Sequence, residues 1–156
     1  MPAATGSGVS LYLVCAIRSP AQSAGNPMGR SDSSGQMEVS HSMENVIYNE
    51  LRMRGFSVNV GNLTVVENEK TGKTVKKQLE VDFICNKGSR KYYIQSAYML
   101  GTAEKMEQEI RPFLKINDSF KKIVITSDTP KPFYNDEGIL MMNVYDFLLN
   151  ANSLEL

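Results

Sequence analysis

The chain has 156 residues, with Lys+Arg and Asp+Glu both at 17 and a net charge of zero. That is enough for one domain with a real core and too short for two ordinary ones. Charge neutrality excludes indiscriminate binding to nucleic acid or membrane surfaces, which needs a broad basic field, though not a local basic stripe. No apolar run approaches the roughly 18 residues of a membrane-spanning helix. Two distant cysteines, Cys15 and Cys85, with His41 as the single histidine exclude a zinc site of the usual kind and lead us to expect a reduced, cytoplasmic setting.

Residues 1–40 are dominated by Ser, Gly, Ala and Pro, as in "SPAQSAGNP" and "SDSSGQ". Such a composition buries too little apolar surface to offset the entropy of ordering it, so a flexible leader is expected. The apolar run from Val9 to Ile17 lacks the preceding basic residues of a signal peptide; an extra strand or short helix is the alternative. The globular domain is expected from His41 to the end. In "HSMENVIYNELRMRG", Met43, Val46, Ile47 and Leu51 recur at three- and four-residue steps, which predicts an amphipathic helix with Ser42 as N-cap and Gly55 as terminator.

"FSVNV" and "LTVVE" then group β-formers, "NEKTGKT" is a polar turn, and "VKKQLEVDFIC" alternates. Its pattern places Val75, Leu79, Val81 and Phe83 on one face, with Glu80 and Asp82 on the other. After the turn "NKGSR", the strand "KYYIQSAYML" sets Tyr93, Gln95 and Ala97 opposite Tyr92, Ile94, Ser96 and Tyr98. A helix capped by Thr102 follows, with Met106, Ile110, Phe113 and Leu114 inward and Pro112 kinking or splitting it. "KKIVITS" reads as an interior strand, "TPKPFYNDEG" as a loop, "ILMMNV" as the last strand and "YDFLLN" as a closing helical turn. The expected fold is therefore α/β, a mixed central sheet flanked by helices in the order α-β-β-β-α-β-β-α.

Gly72-Lys73-Thr74 resembles the tail of a phosphate-binding loop, but the first glycine of that motif would fall on Glu67, and a strand rather than a helix is expected after it. No ATP binding is expected from this segment. Lys70, Lys73, Lys76, Lys77, Lys87, Arg90 and Lys91 concentrate around the two turns. They fit either a patch that follows a phosphate backbone or simply solvated turn tips. His41 and Glu44 lie one helical step apart, and His41 has the chemistry of a general base or a ligand as well as that of a surface residue. Asp82 and Gln95, oxygen-bearing side chains on neighbouring strands, are the pair that could jointly hold Mg²⁺. In a working phosphodiesterase the second would be a carboxylate, with a lysine two residues on to orient the attacking water; here that position is Ala97.

Four stretches, "HSMENVIYNELRMRGFSVNVG", "EVDFICNKGSRKYYIQSAYML", "EQEIRPFLKINDSFKKIVITSD" and "EGILMMNVYDFLL", together resemble the carboxy-terminal domain of unknown function that follows the ATPase module in many prokaryotic AAA-type ATPases. The resemblance runs from His41 to the end; the family's Gly-His-x-x-Glu-Asn start appears with Ser40 in place of glycine and with His41, Glu44 and Asn45 kept. It implies a fold similar to the PD-(D/E)XK restriction-endonuclease superfamily. In that frame Glu44 matches the helical acid, Asp82 the strand acid, Gln95 the second acidic position and Ala97 the lysine position. The resemblance further implies a Mg²⁺ or Mn²⁺ site at Glu44, Asp82 and Gln95 if any activity survives, with Lys87 or Lys91 as a relocated lysine. The expectation is a barely catalytic or non-catalytic module that recognises nucleic acid or a partner. Its alternatives are a weak Mg²⁺- or Mn²⁺-dependent nuclease and a structural domain docking on the ATPase.

Overall fold

The computed structural model describes residues 33–68 and 74–156. The expectations for the leader through residue 32 and for Lys70, Gly72 and Lys73 lie outside these residues. Helix α1 spans Ser33–Met53, followed by strands β1 (Ser57–Asn68), β2 (Thr74–Lys87) and β3 (Arg90–Ala97). Helix α2 (Ala103–Leu114) leads to β4 (Lys121–Thr126), β5 (Phe133–Tyr134) and β6 (Leu140–Asn143), and helix α3 (Val144–Leu149) precedes a final 3-10 turn at Ser153–Glu155. The strands form one six-stranded mixed sheet in the order β1-β2-β3-β4-β6-β5. β3, β4 and β6 run parallel, and the β1-β2, β2-β3 and β5-β6 pairs are antiparallel.

Helices cover both faces. Met43, Ile47 and Leu51, one stripe of α1, pack with Phe83, Cys85, Ile94, Ile123 and the α3 residue Phe147. On the other face Ile110 and Phe113 of α2 pack with Val81, Tyr93, Ala97 and Val124. The alternation expected along β3 is therefore present, with Tyr93 and Ala97 on the α2 side and Tyr92 and Ile94 on the α1 side. Among the described residues no helix is long and apolar enough to cross a membrane.

Four details differ from the sequence expectation. First, α1 begins at Ser33, ahead of His41, so Ser42 lies within the helix and is no N-cap. Its hydroxyl instead donates back to the carbonyl of Glu38, 2.9 Å away. Once nucleated, a helix adds one hydrogen bond per residue fixed, which carries it through a Ser/Gly-rich segment of weak propensity. Gly55 does terminate the helix, with a left-handed φ of 81°. Second, α2 is a single helix with Thr102 as its cap; Pro112 falls in its last turn and Leu114 is exposed. Third, the loop before β6 contains the two-residue strand β5.

The fourth difference matters most. Opposite Val60, β2 carries an extra residue: Asn59 pairs with Ile84 but Gly61 pairs with Val81. This bulge at Asp82-Phe83 breaks the two-residue period. Val81 stays on the α2 side, whereas Phe83 and Cys85 turn to the α1 side. Beyond the bulge β2 is paired only with β1, since pairing to β3 begins at Phe83 and Ile94. Residues 61–68 and 74–81 are thus a two-stranded ribbon that continues past the body of the sheet.

Candidate functional site

The bulge places Asp82 against the carboxyl end of β3. Its Oδ2 accepts the backbone N–H of Ser96 at 2.7 Å, so the carboxylate replaces a backbone acceptor where the bulge has interrupted the ladder. Its Oδ1 accepts from Nε2 of Gln95 at 3.0 Å, and the Gln95 carbonyl faces the Asp82 N–H at 3.4 Å. A carboxylate can only accept, so Gln95 must present its amide nitrogen to it. The sequence expectation that Asp82 and Gln95 meet is met in this form: they close on each other.

Next in the chain to Gln95, Ser96 and Ala97 border a cleft of about 470 Å³ at the carboxyl ends of the parallel strands. Parallel strands ending between helices on opposite faces leave a crevice there, the usual place for a site in such sheets. Its walls are Met37 and His41 of α1, Ser96 to Gly101 at the end of β3, and Thr102, Lys105 and Glu109 of α2. The corner at Leu100-Gly101 is held from the opposite side by Asp128, whose carboxylate accepts both backbone N–H groups, at 2.9 and 3.3 Å, and the Thr126 hydroxyl. Burial raises the Asp128 pKa, but these hydrogen bonds outweigh it and hold the group below the ordinary carboxylate range. Gly101 has a φ of 54°, which a side-chain-bearing residue adopts only with strain.

The cleft wall carries one acid, Glu109, together with Lys105 and His41. Burial pushes Asp82 up to about 6; the Ser96 N–H opposes this, and Glu44, Glu109 and Glu80 add to it. Glu109 is also raised, by burial first; Lys105, one helical turn away, and a contact from Gln95 oppose this, while Glu44 adds to it. Glu44, Asp82 and Glu109 therefore feel one another. His41 pairs with Glu44 at 3.6 Å on the exposed side of α1. Ser96 is 6% exposed, and its hydroxyl has no hydrogen-bond partner. Ser96, Lys105 and Glu109 were not singled out from sequence. For Glu109 a signal existed: it lies between Met106 and Ile110 on the inward stripe of α2, where an acid needs a reason.

A divalent ion does not fit this arrangement. Among the described residues no three His, Cys, Asp or Glu side chains converge as ligands. Both oxygens of Asp82 and both polar atoms of Gln95 are engaged with each other or with Ser96. Ala97, buried in the α2-side core and bordering the cleft, brings no basic group beside the pair.

The other residues marked from sequence are not brought to the cleft. Lys91 is the second residue of β3, four residues before Gln95, a separation of roughly 13 Å at 3.3 Å per residue. Its ammonium lies over the rings of Tyr93 and Phe120, 4.7 and 5.2 Å away, and 3.9 Å from Asp118. Lys87 donates to the Arg54 carbonyl at 2.5 Å, and Arg90 pairs with Glu155 at 2.9 Å. Lys76 and Lys77 sit on the ribbon, opposite Val66 and Val65. Among the described residues these basic side chains thus form two groups rather than one stripe. After Thr74 the chain continues as strand β2, so the helix that a phosphate-binding loop requires is absent there.

No family model matches the chain, and neither does any solved structure. Two curated relatives do. An uncharacterized protein of Haemophilus influenzae is 32% identical over 110 residues, covering 69% of this chain and 22% of the relative. An uncharacterized protein of Methanocaldococcus jannaschii is 34% identical over 110 residues, covering 67% of this chain and 21% of the relative. The chain therefore matches about a fifth of the length of these relatives.

Proposed function

We propose that this chain is a recognition module with a restriction-endonuclease-like fold whose site no longer hydrolyses phosphodiesters, accessory to a prokaryotic ATPase. The observation that carries this is the closed Asp82–Gln95 pair. A glutamine amide hydrogen-bonded to the strand acid turns what would be a cation-binding pair into an inter-strand fastening. The length of the relatives, of which about four fifths lies outside the match, leaves room for an ATPase module. The dispersed lysines favour a partner protein over a phosphate backbone as the object of recognition.

Incubating supercoiled plasmid with the protein and Mn²⁺ tests the loss of hydrolysis. Intact plasmid is expected, and cleavage that disappears in Asp82→Ala would overturn it. Anisotropy titrations with single- and double-stranded DNA and RNA at low salt separate the two kinds of recognition; salt-dependent binding would restore nucleic acid as the partner. A second reading, a weak Mg²⁺- or Mn²⁺-dependent nuclease, requires the Asp82–Gln95 pair to open and free the Asp82 carboxylate for a cation; Glu109 and Lys105 bring an acid and a lysine from α2 to the neighbouring cleft. It requires cleavage to fail in both Asp82→Ala and Glu109→Ala.

A further inference from the structure

We infer that β1 is a self-association edge: it pairs antiparallel with β1 of a second copy of this chain about a twofold axis through Leu63, joining two sheets into one. β1 stands at the end of the strand order and, among the described residues, pairs with β2 alone. Every second residue along it therefore aims its N–H and C=O away from the sheet. At 12 residues, roughly 40 Å, it is about twice the usual strand length. Sheet edges are ordinarily kept from pairing by short length, lysine, proline or a bulge. The sequence of β1, SVNVGNLTVVEN, contains no lysine or proline and a single charge, Glu67. The extra residue of the bulge belongs to β2, so β1 keeps its two-residue period, with Val58 on the α1 side and Leu63 on the α2 side.

The ribbon selects the partner strand. Residues 61–68 and 74–81 leave the body of the sheet with no third strand among the described residues. Two strands alone are marginal in water, and a third strengthens them. A twofold supplies it reciprocally: in a pair centred on Leu63, residues 64–68 of one copy run beside residues 62–58 of the other, along the edge of its sheet body. Directly opposed residues of an antiparallel pair lie on the same face. The centre on Leu63 therefore sets Val60 against Val66 and Gly61 against Val65 on both sides of the axis. Val60 and Val66 are 56% and 61% exposed in the single chain, and the pairing covers both. Glu67 falls opposite Asn59, so no like charges meet, and a net charge of zero sets no long-range repulsion between copies. An extended peptide of another protein can pair with such an edge, but a second copy brings the matching valines by itself.

Sedimentation velocity on the full chain, from micromolar to near-millimolar concentration, reads the association. A reversible monomer–dimer equilibrium is expected, with deuterium exchange along β1 slowing as concentration rises. The double variant Val60→Glu/Val66→Glu sets two carboxylates against each other on both sides of the axis and should weaken the dimer about tenfold. Val60→Lys/Val66→Glu sets a cation against an anion at the same positions and should restore it. Both residues are exposed, and position 66 lies opposite Lys76 within the ribbon, so thermal midpoints should stay close to that of the unmodified chain. A monomer at every concentration overturns the inference and leaves the edge to an extended segment of another polypeptide. A dimer unmoved by the Glu/Glu pair, or weakened equally by both variants, overturns it as well.

Discussion

Asp82 and Gln95 share a hydrogen bond that depends on one being an acid and the other an amide. Gln95→Glu places two carboxylates face to face without a cation. It is expected to cost about 1–3 kcal/mol at pH 7 by chemical denaturation, and the loss should shrink by pH 4, where one carboxyl can hold the shared proton. The single acid already has a pH signature. With its pKa raised from 3.8 to about 6 in the folded protein, Asp82 binds a proton more tightly folded than unfolded. Its contribution is therefore intact below about pH 4 and is lost as pH rises to about 6, up to about 3 kcal/mol. Denaturation midpoints between pH 4 and 7 should fall along that window, and Asp82→Asn should flatten the slope. Asp82 and Gln95 were legible from sequence because strand alternation and spacing bring them together. Their mutual closure was not, since it depends on which end of the amide faces the acid.

The elements divide in the same way. Helices α1 and α2 and all the longer strands follow from hydrophobic period and turn residues, because each has one face on the core. The bulge has no such marker. Nothing in "QLEVDFIC" identifies the extra residue, and the sign lies across the ladder, where a Cβ on Gly61 would stand 2.6 Å from Cδ1 of Ile84 and 3.3 Å from Cβ of Val81. Gly61→Ala is expected to destabilise by about 1–3 kcal/mol, read from urea midpoints. The start of α1 was misread for a different reason: composition reports the propensity of residues 33–40 but not the helix already running behind them. The two serine/threonine positions therefore separate under mutation. Thr102→Ala, which removes a cap, should cost about 1 kcal/mol. Ser42→Ala, mid-helix, should stay within about 0.5 kcal/mol.

Across the whole molecule, the last turn of α1 is fixed by residues from the other end of the chain. The guanidinium of Arg54 bonds Glu50 at 2.8 Å, Ser153 at 2.9 Å and the carbonyl of Phe147, and lies 4.4 Å above the Phe147 ring. Arg54→Ala should cost about 3 kcal/mol by thermal or chemical unfolding, since it leaves Glu50 half-buried without its partner. Arg54→Lys should recover only part of that, because an ammonium cannot reproduce the planar fork. The partners of Arg54 lie 93 and 99 residues downstream. At roughly 5–20 residues per second of synthesis, α1 waits at least several seconds after leaving the ribosome before Phe147 and Ser153 exist. During that interval Met43, Ile47 and Leu51 have no α3 beside them. Until the segment from Phe147 to Ser153 arrives, that stripe of the nascent chain stays open to proteases and holdase chaperones, and Arg54 is the side chain that ends the wait.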